Sequence, residues 1–383
     1  MVSLPFLIII FRTARANLYT SKSPLHTKMK PVVALSAFLA VATATPFLKP
    51  RSLDISAYKA VTTAPVRGAP AGNTATASLK YNPTSVANAA IAAATSSAAI
   101  VNRRNKRSTC PSTCAVLSAG NGPSVNNPDT AAAFEADKNL ANAALKAVTP
   151  ADYVLVDGFQ NIDSAAQSAT YLTYVSDSVT SYDPAICANA CNAIQGCIAF
   201  NIFFERDPTL VPDTEDCPNP PSQTLIKCSL FGGLLDALLA TNCGQWQADF
   251  QVVIAGSNAY NAVTPPSIPG YRGVQSFGSA TIDAPANTTT YMGVEAFSQT
   301  QPYDPTVCAA ACSSKSNPGC AFFVSYILYE NDQNGVFTCT YFTVPYGSDR
   351  AIETGQYDNQ GNHYTIGHSF GFTVDGYKPS RLS

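Results

Sequence analysis

Residues 182–205 read YDPAICANACNAIQGCIAFNIFFE, and residues 303–330 read YDPTVCAAACSSKSNPGCAFFVSYILYE. Both stretches begin with Tyr-Asp-Pro, contain two cysteines four residues apart and place a third cysteine before an aromatic run. With a fourth in a later apolar stretch, the repeated cysteines are Cys187, Cys191, Cys197 and Cys228 in the first copy and Cys308, Cys312, Cys320 and Cys339 in the second. The chain therefore contains two copies of one disulfide-linked module, which we place at 151–264 and 265–383.

Each copy has the pattern of one helix followed by an antiparallel sheet. Asp183 and Asp304 are good N-cap residues, and the proline after each favours a helix start. Cysteines four residues apart then lie on one face of that helix. Aromatic and β-branched residues dominate the later runs of each copy, as in buried strands. We therefore predict an α+β fold of two tandem modules, each with one helix bridged to an antiparallel sheet.

The four repeated cysteines of one copy allow three pairings, and geometry favours one of them. A short bridge joins the second and third cysteines, which leaves the first and fourth to join the helix to a strand. The predicted pairs are Cys191–Cys197, Cys187–Cys228, Cys312–Cys320 and Cys308–Cys339.

Four further cysteines lie outside the repeated pattern. Cys217 and Cys243 occur only in the first copy, and Thr354 stands in the second copy where Cys243 stands in the first. Because both cysteines are absent together, we predict a Cys217–Cys243 bridge that fastens the insertion around Cys217. Cys110 and Cys114 precede the first copy, and they either bridge to each other or tie down this upstream tail.

The start of the chain has the features of a secretory signal. Met29 and Lys30 precede an apolar run, residues 32–42, that leads into Ala-Thr-Ala, a small-residue cleavage pattern. We expect residues 1–44 to be a signal region with translation from Met29; a signal anchor at residues 4–11 is the alternative. Because the run is too short to span a membrane comfortably, we expect a secreted protein of the extracellular space or cell wall, without stable membrane insertion.

Residues 45–107 are predicted to be a disordered pro-segment. They are rich in alanine, threonine, serine and proline, contain no cysteine and carry few aromatic residues. Little apolar surface is therefore available to offset the entropy of ordering the chain. The segment ends in a basic run just before the first cysteine. Cleavage after Lys106-Arg107 by a kexin-like protease would leave residues 108–383 as the mature chain.

An alanine-rich stretch, residues 129–148, predicts one helix ahead of the first copy, in a connecting region at 108–150. Leu140, Ala144 and Val148 fall on one face of this helix. The aspartate at its first position can cap it, and a proline after it stops it.

Charge and cysteine content argue against several partners. Of the 23 Lys and Arg residues, 14 lie in residues 1–107, whereas 24 of the 25 Asp and Glu residues follow, so the mature chain has a formal charge of −15. We therefore expect neither nucleic acid nor an anionic membrane as partner. All twelve cysteines lie in the mature chain, an even number that favours disulfides. With His363 and His368 as its only histidines and no C-x-x-C pair, we expect no metal and no cofactor.

The sequence contains no convincing catalytic constellation. His363 and His368 lie five residues apart and would point to opposite faces of a strand. The strand-turn-helix context of a nucleophile elbow is absent around Gly-His-Ser-Phe-Gly. In Glu205-Arg206-Asp207 the arginine is a candidate binding residue, although an ion pair at a strand end is its more ordinary role. We therefore predict that the protein is not an enzyme.

Trp246 and Tyr357 occupy matching positions of the two copies, and each follows a glutamine. Exposed rings can stack on a sugar or anchor a protein partner, which makes both residues candidate contacts. Packing in a core or between modules is the more common role of large aromatic residues, and we favour it here. Asn287 begins the only glycosylation sequon, in a polar stretch between the copies, and we expect it to be glycosylated.

The cysteine framework resembles the PAN/apple module, with helix cysteines spaced C-x3-C, a third cysteine in C-x-x-F and a fourth on a later strand. FNIFFERDP, IKCSLFGG and GQWQADFQVVIAGSNAY are similar to a family of secreted filamentous-fungal proteins with apple-like repeats, over residues 150–378. The predicted repeat bridges agree with the core bridges of that family, whereas the outer cysteine pair of many apple domains is absent. The resemblance implies a module that binds protein or carbohydrate and carries no catalytic residues.

Together these features predict a secreted, non-catalytic binding protein that recognises protein or carbohydrate at the cell wall or extracellular surface. The alternatives are a secreted hydrolase that acts on polysaccharide through a carboxylate pair, and a structural cell-wall protein held through its cysteines. A flat aromatic face would favour binding, whereas a concave pocket with close carboxylates would favour the hydrolase.

Overall fold

The computed structural model describes residues 53–72, 81–95, 114–285, 288–315 and 319–378. All of them belong to one structural unit, Leu48–Ser383. Outside the described residues lie the signal region 1–44, Lys106, Arg107, Cys110 and Asn287, for which the expectations above stay predictions. Among the described residues, no helix has both the length and the apolar character needed to cross a membrane.

The described part of the chain combines short helices with longer strands. The helices are α1 Ser56–Lys59, α2 Pro83–Thr95, α3 Ala131–Glu135, α4 Lys138–Lys146, α5 Pro184–Asn192 and α6 Pro305–Ser314. The strands of the first copy are β1 Tyr153–Leu155, β2 Ala165–Ala166, β3 Tyr171–Val175, β4 Ala199–Pro208, β5 Ser222–Phe231, β6 Ala240–Asn242, β7 Gln245–Gln247 and β8 Phe250–Ala262. The strands of the second copy are β9 Tyr271–Gly278, β10 Tyr291–Ala296, β11 Phe322–Glu330, β12 Gln333–Phe342, β13 Gly355–Tyr357 and β14 His363–Val374.

The two copies form two antiparallel six-stranded sheets with corresponding strand orders. In the first sheet the order is β3-β5-β4-β8-β1, and β7 also pairs with β8. In the second sheet the order is β10-β12-β11-β14-β13, and β9 also pairs with β14. Each strand of the first sheet therefore has a counterpart in the second, such as β4 with β11 and β7 with β13. The predicted α+β class is confirmed, and the sequence repeat is also a repeat of topology.

The disulfides of the repeat fasten one helix to each sheet. The described bridges include Cys187–Cys228, Cys191–Cys197, Cys308–Cys339 and Cys312–Cys320, all as predicted. The side chains of Asp183 and Asp304 cap α5 and α6, also as predicted. The helix-to-strand bridges span 41 and 31 residues, and each stabilises the fold by about 4 kcal/mol in the chain-entropy account. One face of each sheet therefore lies against a bridged helix.

The predicted Cys217–Cys243 bridge is wrong, because Cys217 pairs with Cys114. The chain after Cys114 runs beside the strand that precedes the insertion, where the N–H of Cys114 donates to the Val211 carbonyl at 3.0 Å and the N–H of Val211 donates to the Ala115 carbonyl at 2.8 Å. This backbone pairing brings Cys114 to the insertion. Cys243 is exposed and forms no bridge within the described residues.

The single helix predicted at 129–148 is also wrong, because two helices, α3 and α4, occupy this stretch. The Asp137 side chain accepts the N–H groups of Asn139 and Leu140, which starts a new helix there. Leu140 and Ala144 are buried as expected, whereas Val148 lies beyond α4 and is exposed. Asp129 does not cap a helix; Thr130 caps α3 instead.

The prediction of disorder for residues 45–107 is wrong where the structure describes them. Residues 53–72, hereafter the N-terminal segment, run over both sheets: Leu53 and Tyr58 are buried on the second sheet and Ala69 on the first. Farther along, α2 packs against α6, with Ala90 buried between them. The prediction failed because average composition does not show where the few apolar residues of this stretch lie.

Candidate functional site

Trp246 and Tyr357 lie at equivalent places in the two sheets and are exposed. Trp246 is on β7 and Tyr357 on β13, with 66% and 70% of their surfaces accessible. Their cross-strand partners are Gln251 and His363, and the Tyr357 ring stacks on the His363 ring with centroids 4.3 Å apart. The favoured prediction, that both aromatic residues pack in a core, is therefore wrong. Each sits on a three-residue strand at the border of its sheet, where most of its surface is open to solvent.

A glycine two residues before each ring allows the short strand to approach its neighbour closely. Gly244 and Gly355 have φ values of +91° and +138°. A Cβ at either position would lie 2.1 Å from a carbonyl oxygen, that of Val252 or that of Tyr364. Only glycine meets both conditions. The repeated Gly-Gln-aromatic sequence therefore holds an exposed ring at a fixed place in both copies.

Arg206 lies beneath the Trp246 strand rather than at the surface. One guanidinium nitrogen donates to the Gln251 carbonyl at 2.8 Å, and the other donates to the Asp129 carboxylate at 2.7 Å. The guanidinium also lies 4.2 Å from the centre of the Phe250 ring. Burial raises the pKa of Asp129, but hydrogen bonds from Ser222 and Arg206 outweigh this effect and lower it overall. Arg206 thus anchors the backbone opposite Trp246 and is too buried to contact a ligand directly.

The acids on either side of Arg206 point to the other face of the first sheet, where they meet Lys227 of β5. Glu205, Asp207 and Lys227 are all buried. Lys227 forms an ion pair with Glu205 and donates to the carbonyls of Pro70 and Gly72 at 2.9 and 3.1 Å. No hydrogen bond of good geometry reaches either carboxyl oxygen of Asp207, although the Gly72 N–H and the Glu205 carboxyl group lie close enough to influence its pKa.

The buried cluster combines an ion pair with a second carboxyl group. Burial, reinforced by the charge of Glu205, raises the pKa of Asp207 well above its usual range. Burial lowers the pKa of Lys227, but the charges of Glu205 and Asp207 outweigh it and raise the pKa overall. The sequence analysis missed Lys227. Its signal was a lysine in the middle of the apolar strand LIKCSLF.

The two histidines have separate surroundings and no catalytic partner in the described residues. His363 stacks on Tyr357, whereas His368 lies edge-on to Tyr303 and Phe370. Burial lowers the pKa of His368 to about 4, so this side chain is neutral at pH 7. Gly-His-Ser-Phe-Gly lies inside the long strand β14, which is not the geometry of a nucleophile elbow.

A cavity of about 490 Å³ lies between α1 and the second sheet. Its wall includes three carboxylates, Asp54, Asp283 and Glu353, and the amide of Gln356. Burial raises the pKa of Glu353, and the charge of Asp283 adds to this effect. Arg350 lies 3.8 Å from the Asp283 carboxylate. This concave site brings carboxylates together, which is one requirement of a glycoside hydrolase.

Comparisons with known proteins give no relative for this chain. No protein-family model, no curated protein and no solved structure matches it significantly. Within the described residues, no group of three or more His, Cys, Asp or Glu side chains is placed to hold a metal ion. Function must therefore be inferred from the geometry of the exposed rings, the buried cluster and the cavity.

Proposed function

We propose that this protein is a secreted, non-catalytic binding protein of two apple-like modules, which recognises carbohydrate at a cell wall or extracellular surface. The observation that carries the proposal is the pair of exposed rings, Trp246 and Tyr357, held at equivalent places by the same local sequence. Large rigid aromatic side chains are costly to leave in water and are enriched at binding surfaces. Two equivalent sites on one chain also allow bivalent binding to a repetitive polymer.

Polar side chains beside the rings favour carbohydrate over a protein partner. Residues directly across from each other on paired strands point to the same face, and Gln251 lies across from Trp246, as His363 does from Tyr357. An aromatic face can cover a pyranose ring while neighbouring amides donate to and accept from its hydroxyl groups. The binding surface needs no metal and no cofactor.

Alanine substitution of the rings tests this function. Trp246→Ala and Tyr357→Ala should each weaken binding to insoluble glucan or chitin by about tenfold, because each removes one stacking surface. Both variants should melt within about 1 °C of the native protein, because exposed side chains contribute little to stability. Leu238→Ala is the control, since Leu238 is 67% exposed and lies outside the proposed surface.

Native-like polysaccharide binding by the double variant would contradict the proposal. Retention by wall proteins with no binding to either polysaccharide would assign the rings to a protein partner instead.

The polysaccharide hydrolase is a second candidate because Asp283 and Glu353 share a cavity. The raised pKa of Glu353 suits a general acid, and Asp283 would be the second carboxylate. Release of reducing ends from polysaccharide by the native protein, lost in Glu353→Gln, would support this candidate. Absence of such release from the native protein would remove it, and Trp246→Ala tests binding independently.

A further inference from the structure

Residues 67–72, Arg-Gly-Ala-Pro-Ala-Gly, lie on the face of the first sheet that α5 does not cover. Ala69 packs with Tyr174, Phe203 and Ile254, whereas the neighbouring residues of the same strands pack with the cysteines of α5. Because side chains alternate between the faces of a strand, this six-residue stretch and α5 lie on opposite faces. The chain before it continues to Leu53 and Tyr58, which are buried on the second sheet.

The sheet holds this stretch by its backbone. Arg67 and Ser168 exchange two backbone hydrogen bonds of 2.9 and 2.8 Å. Lys227 donates to the carbonyls of Pro70 and Gly72, and the N–H of Gly72 donates to Glu205 at 3.0 Å. An extended peptide captured through main-chain groups is a recurring mode of peptide recognition.

Space at the site selects small residues. A Cβ at position 68 would lie 2.8 Å from the Ala166 carbonyl oxygen, so glycine is needed there. Ala69 is buried, with 6% of its surface accessible, and a larger side chain would overfill its pocket. Gly72 has a φ of +79°, which also favours glycine. The site therefore fits an extended peptide rich in glycine and alanine.

The fold does not require the Glu205–Lys227 ion pair beneath the peptide. The strand registers pair Glu205 with Leu225 and, in the second copy, Leu328 with Val336. By this register Leu328 replaces Glu205, and Thr338 replaces Lys227. Both replacements are uncharged and buried. Since buried ion pairs seldom stabilise a fold more than apolar residues do, the charges in the first copy call for another reason.

We propose that Lys227, Glu205 and Asp207 form a peptide-binding site for an extended Gly/Ala-rich peptide, and that residues 67–72 occupy it as an exchangeable internal ligand. Water can hydrate the charged groups when the site is open. In the filled site the same groups bind carbonyl and N–H groups of the peptide. This proposal does not depend on the carbohydrate surface.

The test displaces residues 67–72 from the site in the full-length protein and then adds a separate peptide to bind there. Gly68→Val should prevent residues 67–72 from seating, because its side chain meets the Ala166 carbonyl. A fluorescent peptide with the native sequence of residues 64–72, APVRGAPAG, is then titrated and followed by anisotropy. We expect saturable binding with a Kd of about 10–500 µM, and no binding to the native chain, whose tethered residues compete at roughly millimolar effective concentration.

Two further variants assign the binding to the cluster. Lys227→Met in the Gly68→Val background should weaken peptide binding by at least about tenfold, since it removes the donor to two carbonyls. Lys146→Met, a change at an exposed lysine, should have no effect. The same peptide carrying Gly68→Val should not bind. A folded Gly68→Val chain that binds no peptide, or that binds equally well with Lys227→Met, would overturn the proposal.

A second protein form covers the case in which Gly68→Val does not fold. In this form, residues 103–107 are replaced by the recognition sequence of a site-specific viral protease, and the folded chain is then cut. Exchange of the labelled peptide into the cut chain, blocked by Lys227→Met, would support the site. Absence of exchange with a 100-fold excess of peptide would count against it.

Discussion

Replacement of Tyr58 by alanine tests whether the N-terminal segment is part of the fold. Tyr58 is 6% exposed, packs edge-on to Tyr364 with ring centroids 5.4 Å apart and belongs to the apolar cluster of the second sheet. If residues 45–107 were a disordered pro-segment, the substitution would be silent. In the structure described above it opens a cavity beside Tyr364.

The expected cost follows from the burial of the ring. Truncation of a buried aromatic side chain costs about 3–5 kcal/mol. We expect about 3 kcal/mol for Tyr58→Ala, because the four-residue helix that carries it can shift to fill part of the space. For a chain of this size the loss corresponds to a fall in Tm of roughly 5 °C.

Urea unfolding followed by circular dichroism measures the change in the free energy of unfolding. Val66→Ala is the matched control, because Val66 lies in the same segment and is 53% exposed; its effect should stay within about 0.5 kcal/mol. If Tyr58→Ala also stayed within that margin, the assignment of the segment to the fold would be refuted.

Three further predictions concern pH, thiols and processing. Burial lowers the pKa of His368 to about 4, against about 6.5 in the unfolded chain. As pH drops from about 6.5 to 4, the unfolded chain therefore gains this proton before the folded chain does, and stability should fall. Thermal melts at stepped pH should show a smaller fall for His368→Asn than for the native protein. The twelve cysteines should leave no free thiol, and peptide mapping should link Cys110 to Cys243. Alkylation of Cys243 in the native protein would contradict this prediction and would favour a structural cell-wall protein held through its cysteines. Cleavage after the basic run should give two N termini, Thr45 and Ser108, in one gel-filtration peak, because the buried N-terminal segment stays bound; recovery of Ser108 alone would contradict this.

Sequence spacing predicted the features that depend on near neighbours. Asp183 followed by proline, and cysteines four apart, determine a capped helix with a bridged face, and a second copy of the pattern fixes the pairing. The partner of Cys217 was not predictable in this way, because it lies 103 residues upstream. Cys217 and Cys243 were paired because the second copy lacks both. The structure instead pairs Cys217 with Cys114 of the upstream chain.

The candidate functional residues also depend on contacts that are distant in sequence. Arg206 was noticed because arginine is scarce in the mature chain, yet its burial depends on Asp129, which lies 77 residues away. Trp246 was assigned to a core from residue type alone, and only the position of β7 at the sheet border shows that it is exposed. Lys227 donates to carbonyls of the N-terminal segment. No local sequence pattern predicts this long-range contact.

The N-terminal segment leaves the ribosome before either sheet has been synthesised. Its Lys59 forms an ion pair with Asp358, 299 residues later in the chain. Contacts across such separations form late, since the intervening loop must close first. A stretch of small and polar residues can wait in water for that time without aggregating. The part of the described chain that is made first therefore docks last, and its arrival marks the completion of both sheets.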